Sequence, residues 1–188
     1  MGRRSARPKA EITLAGACGT GSPLWAPWRS AYITRARRGQ ESCIFCVSHL
    51  SAAARRRRFI LCADKICLVM LNRYPYNAGH LLVAPRRHVA SPEILGREER
   101  SALAEAVTGA VVRLRAALHP AGFNLGANLG QAAGAGFAGH LHWHIVPRFA
   151  GDANFMPAVA GIRVISQHLA DTFRLLAPRF AGSDGPIS

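Results

Sequence analysis

The run Gly139-His140-Leu141-His142-Trp143-His144-Ile145-Val146-Pro147-Arg148 constrains this chain more than any other stretch. A histidine alternates with an apolar residue three times in succession. In a strand, alternate side chains share a face. The spacing therefore predicts a half-buried strand with His140, His142 and His144 on one face and Leu141, Trp143 and Ile145 on the other. A lone histidine on such a face is an ordinary solvated residue. Three in strict alternation need another explanation, because each imidazole is polar and titrates near neutrality. Directly before them lies a glycine-rich run with Gly130, Gly134, Gly136 and Gly139. Glycine lets backbone approach a ligand closely, and exposed N–H groups can form an anion-binding nest. A phosphate bound there would lie against the imidazoles, and neutral imidazole is a competent nucleophile toward phosphorus. The bland alternative is a flexible surface loop followed by a solvated strand face.

The pattern His-apolar-His-apolar-His-apolar-apolar over His140 to Val146 resembles that of the histidine triad (HIT) family. Three further stretches extend the likeness: Leu24-Trp25-Ala26-Pro27-Trp28-Arg29, Asn72 through His88, and Gly151-Asp152-Ala153-Asn154-Phe155-Met156-Pro157. Together they run from about Leu24 to about Pro178. They are similar to the bacterial branch of diadenosine tetraphosphate phosphorylases and hydrolases. The resemblance implies an α+β fold, a twisted antiparallel sheet with one long helix packed on it and a C-terminal helix. It makes His142 the nucleophile and His144 a stabiliser of the transition state. For His140 it leaves two duties, orienting the phosphate or binding metal. Asn72 matches the position that holds the ribose hydroxyls, and Asn128 an amide near the phosphates. Cys43, Cys46, His88 and His140 form a Cys₂His₂ set of the kind that closes around zinc, as some relatives place it. A homodimer is also implied, with Trp25 and Trp28 as candidates for its interface. Four positions depart from the family pattern. Gly136 and Phe137 replace Gln and Ser or Thr of the phosphoramidase-type relatives, which points toward dinucleoside polyphosphates. Gly139 and Phe149 replace an acidic residue and a Trp.

A length of 188 residues suits one domain with a real core. The hydrophobic fraction of 49% and charged fraction of 18% are those of a soluble globular chain. The formal charge of +14 comes almost wholly from arginine, clustered at Arg3-Arg4, Arg35-Ala36-Arg37-Arg38 and Arg55-Arg56-Arg57-Arg58. Such a surface favours polyanions, and a weak, sequence-blind attraction to nucleic acid follows. No sequence signature of an RNA-binding module accompanies it. The five cysteines do not read as a disulfide framework. Cys62 and Cys67 sit among apolar residues as small hydrophobes. Nothing in the sequence is long and apolar enough to span a bilayer, and the basic N-terminus lacks the apolar segment of a signal peptide. A cytoplasmic protein is the expectation.

Read in order, Met1 to Pro23 forms a basic extension expected to be disordered, 24–180 the domain, and 181–188 a flexible tail. Ser51 to Arg58 reads as an arginine-loaded connection. Phe59–Leu61 and Ile66–Leu71 read as strands about an Ala63-Asp64-Lys65 turn. Asn72 to Gly79 reads as a loop, with Tyr74 and Tyr76 as base-flanking or core aromatics. His80 to Ala84 reads as an apolar strand that Pro85 ends, with His80 packing at its start. Leu103, Val107, Val111, Leu114 and Leu118 set a helical stripe over Arg97–Leu118. Phe123–Leu129 is the next strand, and Arg163 to about Ala177 a closing helix. The candidate site is then His142, His144 and His140 for catalysis, with Asn72, Asn128, Gly134, Gly136 and Arg148 around the nucleotide. Arg148 serves equally as a phosphate clamp or an exposed strand-end residue. Two function classes remain: a nucleotidyl transferase or hydrolase acting on dinucleoside polyphosphates or mononucleotides, and a nucleotide- or nucleic-acid-binding module working through its arginines.

Overall fold

A computed structural model describes residues 43–152 and 167–181. The expectations for Met1–Pro23, Trp25, Trp28, Cys18, Asn154–Pro157 and the tail from 182 lie outside the described residues, as does the start of the closing helix at Arg163.

The elements are α1 (Ala52–Arg57), β1 (Ile60–Ala63), β2 (Cys67–Leu71), β3 (Leu81–Pro85), a 3-10 turn (Pro92–Ile94), α2 (Arg97–Leu118), β4 (Gly122–Gly126), β5 (Trp143–Arg148) and α3 (Leu169–Phe180). The five strands make one sheet in the order β1-β2-β3-β5-β4. Every neighbouring pair is antiparallel. The family fold class is thus realised: α+β, an antiparallel sheet with the long helix and the C-terminal helix against it.

The two central strands β2 and β3 are buried along their whole length. A strand buried on both faces needs a cover on each, and the period of two distributes its residues between them. Val69, Leu71, Leu81 and Val83 face Leu103, Ala106, Ala110 and Leu114 of α2 and Phe173, Leu176 and Phe180 of α3. Leu68, Met70, Leu82 and Ala84 face Phe45 and Val47 of the segment that precedes α1. The second cover comes from the Cys43–Leu50 segment, and it matters for the site. β5 and the residues leading into it obey the same alternation: Leu141, Trp143 and Ile145 join the helix-side cluster, while His144 pairs across the ladder with Leu82 of the opposite face.

α2 begins where Gly96 N–H donates to the Glu99 carboxylate at 2.8 Å. Glu99 also holds Arg87 at 2.6 Å, which keeps its carboxyl down at about 2. The helix ends on His119, whose φ of 49° leaves the helical region just before Pro120. Gly79 sits at φ +77°, and a Cβ there would meet Leu118 Cδ1 at 2.4 Å. The 72–79 loop therefore rests directly on α2, and only glycine permits both the turn and the approach.

Two sequence expectations are corrected here. Ser51 to Arg58 is not a plain connection: residues 52–57 form a short helix capped by the Ser51 hydroxyl, which accepts from Ala54 N–H at 3.3 Å. Alanine and arginine are good helix formers, and this helix buries none of its residues, so no apolar stripe marked it. The strand expected over Phe123–Leu129 stops at Gly126.

Candidate active site

The triad strand is shorter than its alternation suggested. Only His144 lies within β5; His142 belongs to the extended lead-in, and His140 closes the turn that ends the glycine-rich loop. The three histidines consequently do different things.

His142 is buried, with 6% of its surface exposed. Its Nδ1–H donates to the carbonyl of His140 at 2.8 Å. A carbonyl can only accept, so that contact fixes the proton on Nδ1 and leaves Nε2 with a bare lone pair. Burial lowers the pKa of His142, partly offset by the same carbonyl. Burial favours a neutral ring, and the carbonyl leaves it nucleophilic at one defined nitrogen. Phe45 stacks on this ring with centroids 4.8 Å apart and planes at 27°.

The His144 ring stands 5.0 Å from that of His142. Its Nδ1 lies 3.0 Å from Nε2 of His80. The tautomers of this pair can be worked out from the far end. Tyr76 N–H donates to His80 Nδ1 at 3.0 Å, and Asn72 Nδ2 also points at that nitrogen at 3.3 Å. His80 Nδ1 is therefore an acceptor, so His80 Nε2 carries the proton and donates to His144 Nδ1. His144 in turn must carry its proton on Nε2. Burial pushes His80 down to about 3, aided by nearby His144 and His142, and His144 down to about 4, aided by His142. The outcome is a pair of adjacent imidazoles with opposite roles: a lone pair on His142 and a donor on His144. His80 is fully buried, as the apolar strand suggested, yet it is the group that sets the His144 donor. Sequence reading treated it as packing. The available signal was that a buried imidazole must find partners for both nitrogens, and Asn72 and Tyr76 lie a few residues upstream.

His140 is drawn into a different cluster. Its Nε2–H donates to the Pro85 carbonyl at 2.8 Å. Its Nδ1 faces Cys43 Sγ at 3.2 Å, Cys46 Sγ at 3.9 Å and His88 Nδ1 at 3.2 Å, with His88 Nδ1 3.4 Å from Cys46 Sγ. All four ligand atoms lie within 4.8 Å of one another. Zn–S and Zn–N bonds of about 2.3 and 2.05 Å imply tetrahedral edges of roughly 3.3–3.8 Å. The four spacings of 3.2–3.9 Å lie close to those edges, and the Pro85 carbonyl holds His140 in the tautomer that offers Nδ1 to a metal. These four residues can thus hold one metal ion. Without a cation the thiol of Cys43 is pushed up to about 11, mainly by burial, against hydrogen bonds from the Phe45 and Cys46 backbone. The Pro85 carbonyl takes its Nε2–H, and a metal held here would take its Nδ1.

The other candidates divide. Asn72 is committed within the loop, its Oδ1 accepting from Tyr74 N–H at 2.9 Å and its Nδ2 pointing at His80. Tyr76 stacks on His80 at 4.9 Å and lies 6.0 Å from His144. Tyr74 is 45% exposed. Gly134 takes φ +82° in the exposed loop, but its N–H already bonds Gln131 O, and Ala135 N–H bonds Gly130 O. Gly136 lies in the same exposed loop, and Asn128 half-buried just beyond β4. Arg148 is held bidentately by Asp152 at 2.7 and 2.8 Å and by Asn124 at 3.1 Å. Asp152 also accepts from Asn77 Nδ2 at 2.8 Å, which ties the 72–79 loop to the end of β5. Arg148 holds the Asp152 carboxyl well below the usual carboxylate range.

An antiparallel α+β domain presenting two histidines of opposed tautomer defines the class of protein, and the comparisons agree. The HIT domain model matches residues 54–151. An AP-4-A phosphorylase of Mycobacterium tuberculosis is 38% identical over 163 residues, 84% of each chain. An uncharacterized HIT-like protein of Saccharolobus solfataricus is 29% identical over 114 residues, 61% of this chain and 79% of that one. Among solved structures, a Zn-bound histidine triad family protein from Mycobacterium smegmatis superposes with a TM-score of 0.59 at 28% identity, covering 74% of this chain and 94% of its own. The chain belongs to the HIT family. Among the described residues, no helix is long and apolar enough to cross a membrane.

Proposed function

We propose that this protein cleaves dinucleoside polyphosphates of the diadenosine tetraphosphate kind through a covalent nucleotidyl-His142 intermediate. The observation that carries the proposal is the opposed pair of tautomers: a bare Nε2 on His142 beside an Nε2–H on His144. The likeness to the mycobacterial AP-4-A phosphorylase supports the substrate class. In the first step His142 Nε2 attacks a phosphorus, the bond to the bridging oxygen breaks, and a nucleotide leaves with that oxygen. The attacking ring becomes positive, and its Nδ1–H remains on the His140 carbonyl, which stabilises it. His144 Nε2–H donates to the phosphoryl oxygens as charge builds there. In the second step water or inorganic phosphate attacks the same phosphorus and frees the imidazole. Asn128 and the Gly134–Gly136 loop are proposed to line the phosphates, and Asn72 to contact the ribose with the hydrogen-bonding capacity left to it. Arg148 is proposed to act on nucleotide only by exchanging Asp152 for phosphate.

Cys43, Cys46, His88 and His140 are proposed to hold one structural zinc. A closed four-ligand shell supplies no open coordination position, so its contribution is to clamp the 43–50 segment to the start of the triad. A homodimer is proposed from family likeness. A second reading, weak binding of nucleic acid, is favoured by the exposed Arg56, Arg57 and Arg58 on and beside α1, which has no acidic residue in its first turn.

The test is to supply diadenosine tetraphosphate with and without phosphate and identify the products. A nucleoside monophosphate plus a triphosphate marks water as acceptor. A diphosphate plus a triphosphate marks phosphate. No turnover under either condition, with nucleotide or nucleic acid still bound, would favour the second reading.

A further inference from the structure

The nucleophile and the thiol–histidine cluster are joined by one side chain. Phe45 lies between Cys43 and Cys46 in sequence, and it is 1% exposed. Its face stacks on His142 at 4.8 Å and it contacts His140 at 5.1 Å. Its own N–H bonds the Cys43 sulfur. On its far side the edge of Phe137, from the glycine-rich loop, meets it at 6.1 Å and 78°. Among the described residues, the ring of His142 has a single hydrogen bond to fix its rotation, from Nδ1 to the His140 carbonyl. A second restraint is needed to hold the plane, and the stacked phenyl ring is placed to give it.

We propose that Phe45 is a positioning residue that ties the ring of His142 to the Cys43/Cys46/His88/His140 cluster, so that occupancy of the cluster by metal sets the orientation of the nucleophile. The inference rests on the reading of His142 as nucleophile and of the cluster as a zinc site. When the four ligands are drawn together, the turn Cys43–Cys46 is fixed, Phe45 is fixed with it, and the His140 carbonyl is fixed from the other side. Release of the thiolates frees both restraints on one ring at once. Nothing in this arrangement requires the metal to touch substrate.

The experiment reads the ring itself. In carbon–proton spectra of the zinc-loaded protein, the ring C–H signals of His142, assigned with His142→Asn, should stand upfield, because they lie over the face of Phe45. In Phe45→Leu, and on stripping zinc from wild type with a chelator, they should return toward ordinary imidazole positions. Turnover of diadenosine tetraphosphate by Phe45→Leu should fall roughly tenfold to a hundredfold with KM little changed, as expected when a reacting group is misplaced rather than removed. Val47→Ala, an equally buried change in the same apolar cluster, should leave the His142 signals in place. Unshifted His142 signals in zinc-loaded wild type would overturn the proposal, even if Phe45→Leu fails to fold. So would signals that do not respond to zinc removal. The ring signals do not depend on catalysis. Displaced signals together with full turnover by His142→Asn would therefore sink the nucleophile assignment and leave the stacking intact.

Discussion

At the scale of single residues, the arrangement separates two imidazoles that the sequence presents as equivalents. Their difference arises from what holds each Nδ1. A backbone carbonyl holds that of His142, and a histidine N–H holds that of His144. The second contact depends on His80, which is fully buried. Replacing His80 with Ala should leave His144 free to adopt either tautomer, and half-correct protonation is poor electrophilic assistance. Turnover should drop about tenfold to a hundredfold at nearly constant KM, a part of the roughly 10²–10⁴-fold that such assistance contributes when complete. Steady-state kinetics on a folded His80→Ala protein measure this, and wild-type turnover would show that His144 needs no such partner. The triad residues themselves were legible from the alternation, as was the likeness on which the nucleophile assignment rests. The division of labour was not, because a tautomer is set by contacts that span 64 residues of sequence between His80 and His144. Nor did the sequence say which duty His140 takes. The distances around its Nδ1 support the metal-binding one.

At the scale of elements, segments with a helical stripe or a continuous apolar run were readable, and those without either were not. The stripe from Leu103 to Leu118 fixed α2 as Arg97–Leu118, the span observed. The apolar run after His80 marked β3. The helix α1 escaped because four consecutive arginines carry no periodicity, and β4 ended early because Gly126 passes into the half-buried lead toward the glycine loop. The segment 43–50 is the element whose role was least visible. It has no regular structure, yet it covers one whole face of β2 and β3 with Phe45 and Val47. Cys43 and Cys46 also tie it to His88 and His140. Protein purified without chelator should therefore contain about one zinc per chain, and chelation should lower the midpoint of thermal unfolding, since a ligand bound only to the folded state stabilises it by mass action. Elemental analysis and a melting curve test this. A Cys43→Ser, Cys46→Ser protein that retains zinc would move the metal elsewhere.

For the molecule as a whole, the buried histidines make stability depend on pH. His80 is held down to about 3 and His144 to about 4, against about 6.5 for a free imidazole. Between those values and 6.5 the unfolded chain binds more protons than the folded one, so folding is disfavoured as acid is added. The contribution is complete above pH 6.5 and is lost progressively as pH falls toward 4. The urea midpoint should decline from pH 7 to pH 5, and a His80→Gln, His144→Gln protein should decline less, because metal loss is common to both. Equal declines would mean that these two rings are not held neutral by the fold.

The central claim is that His142 carries the nucleotide between the two half-reactions. A rapid acid-free quench of wild-type protein mixed with radiolabelled diadenosine tetraphosphate, followed by peptide mapping, tests it most directly. The account predicts an acid-labile nucleotidyl adduct on His142, none in His142→Asn, and a loss of several orders of magnitude in turnover for that variant while nucleotide still binds. An adduct on His140 or His144, or near-normal turnover by His142→Asn, would contradict it.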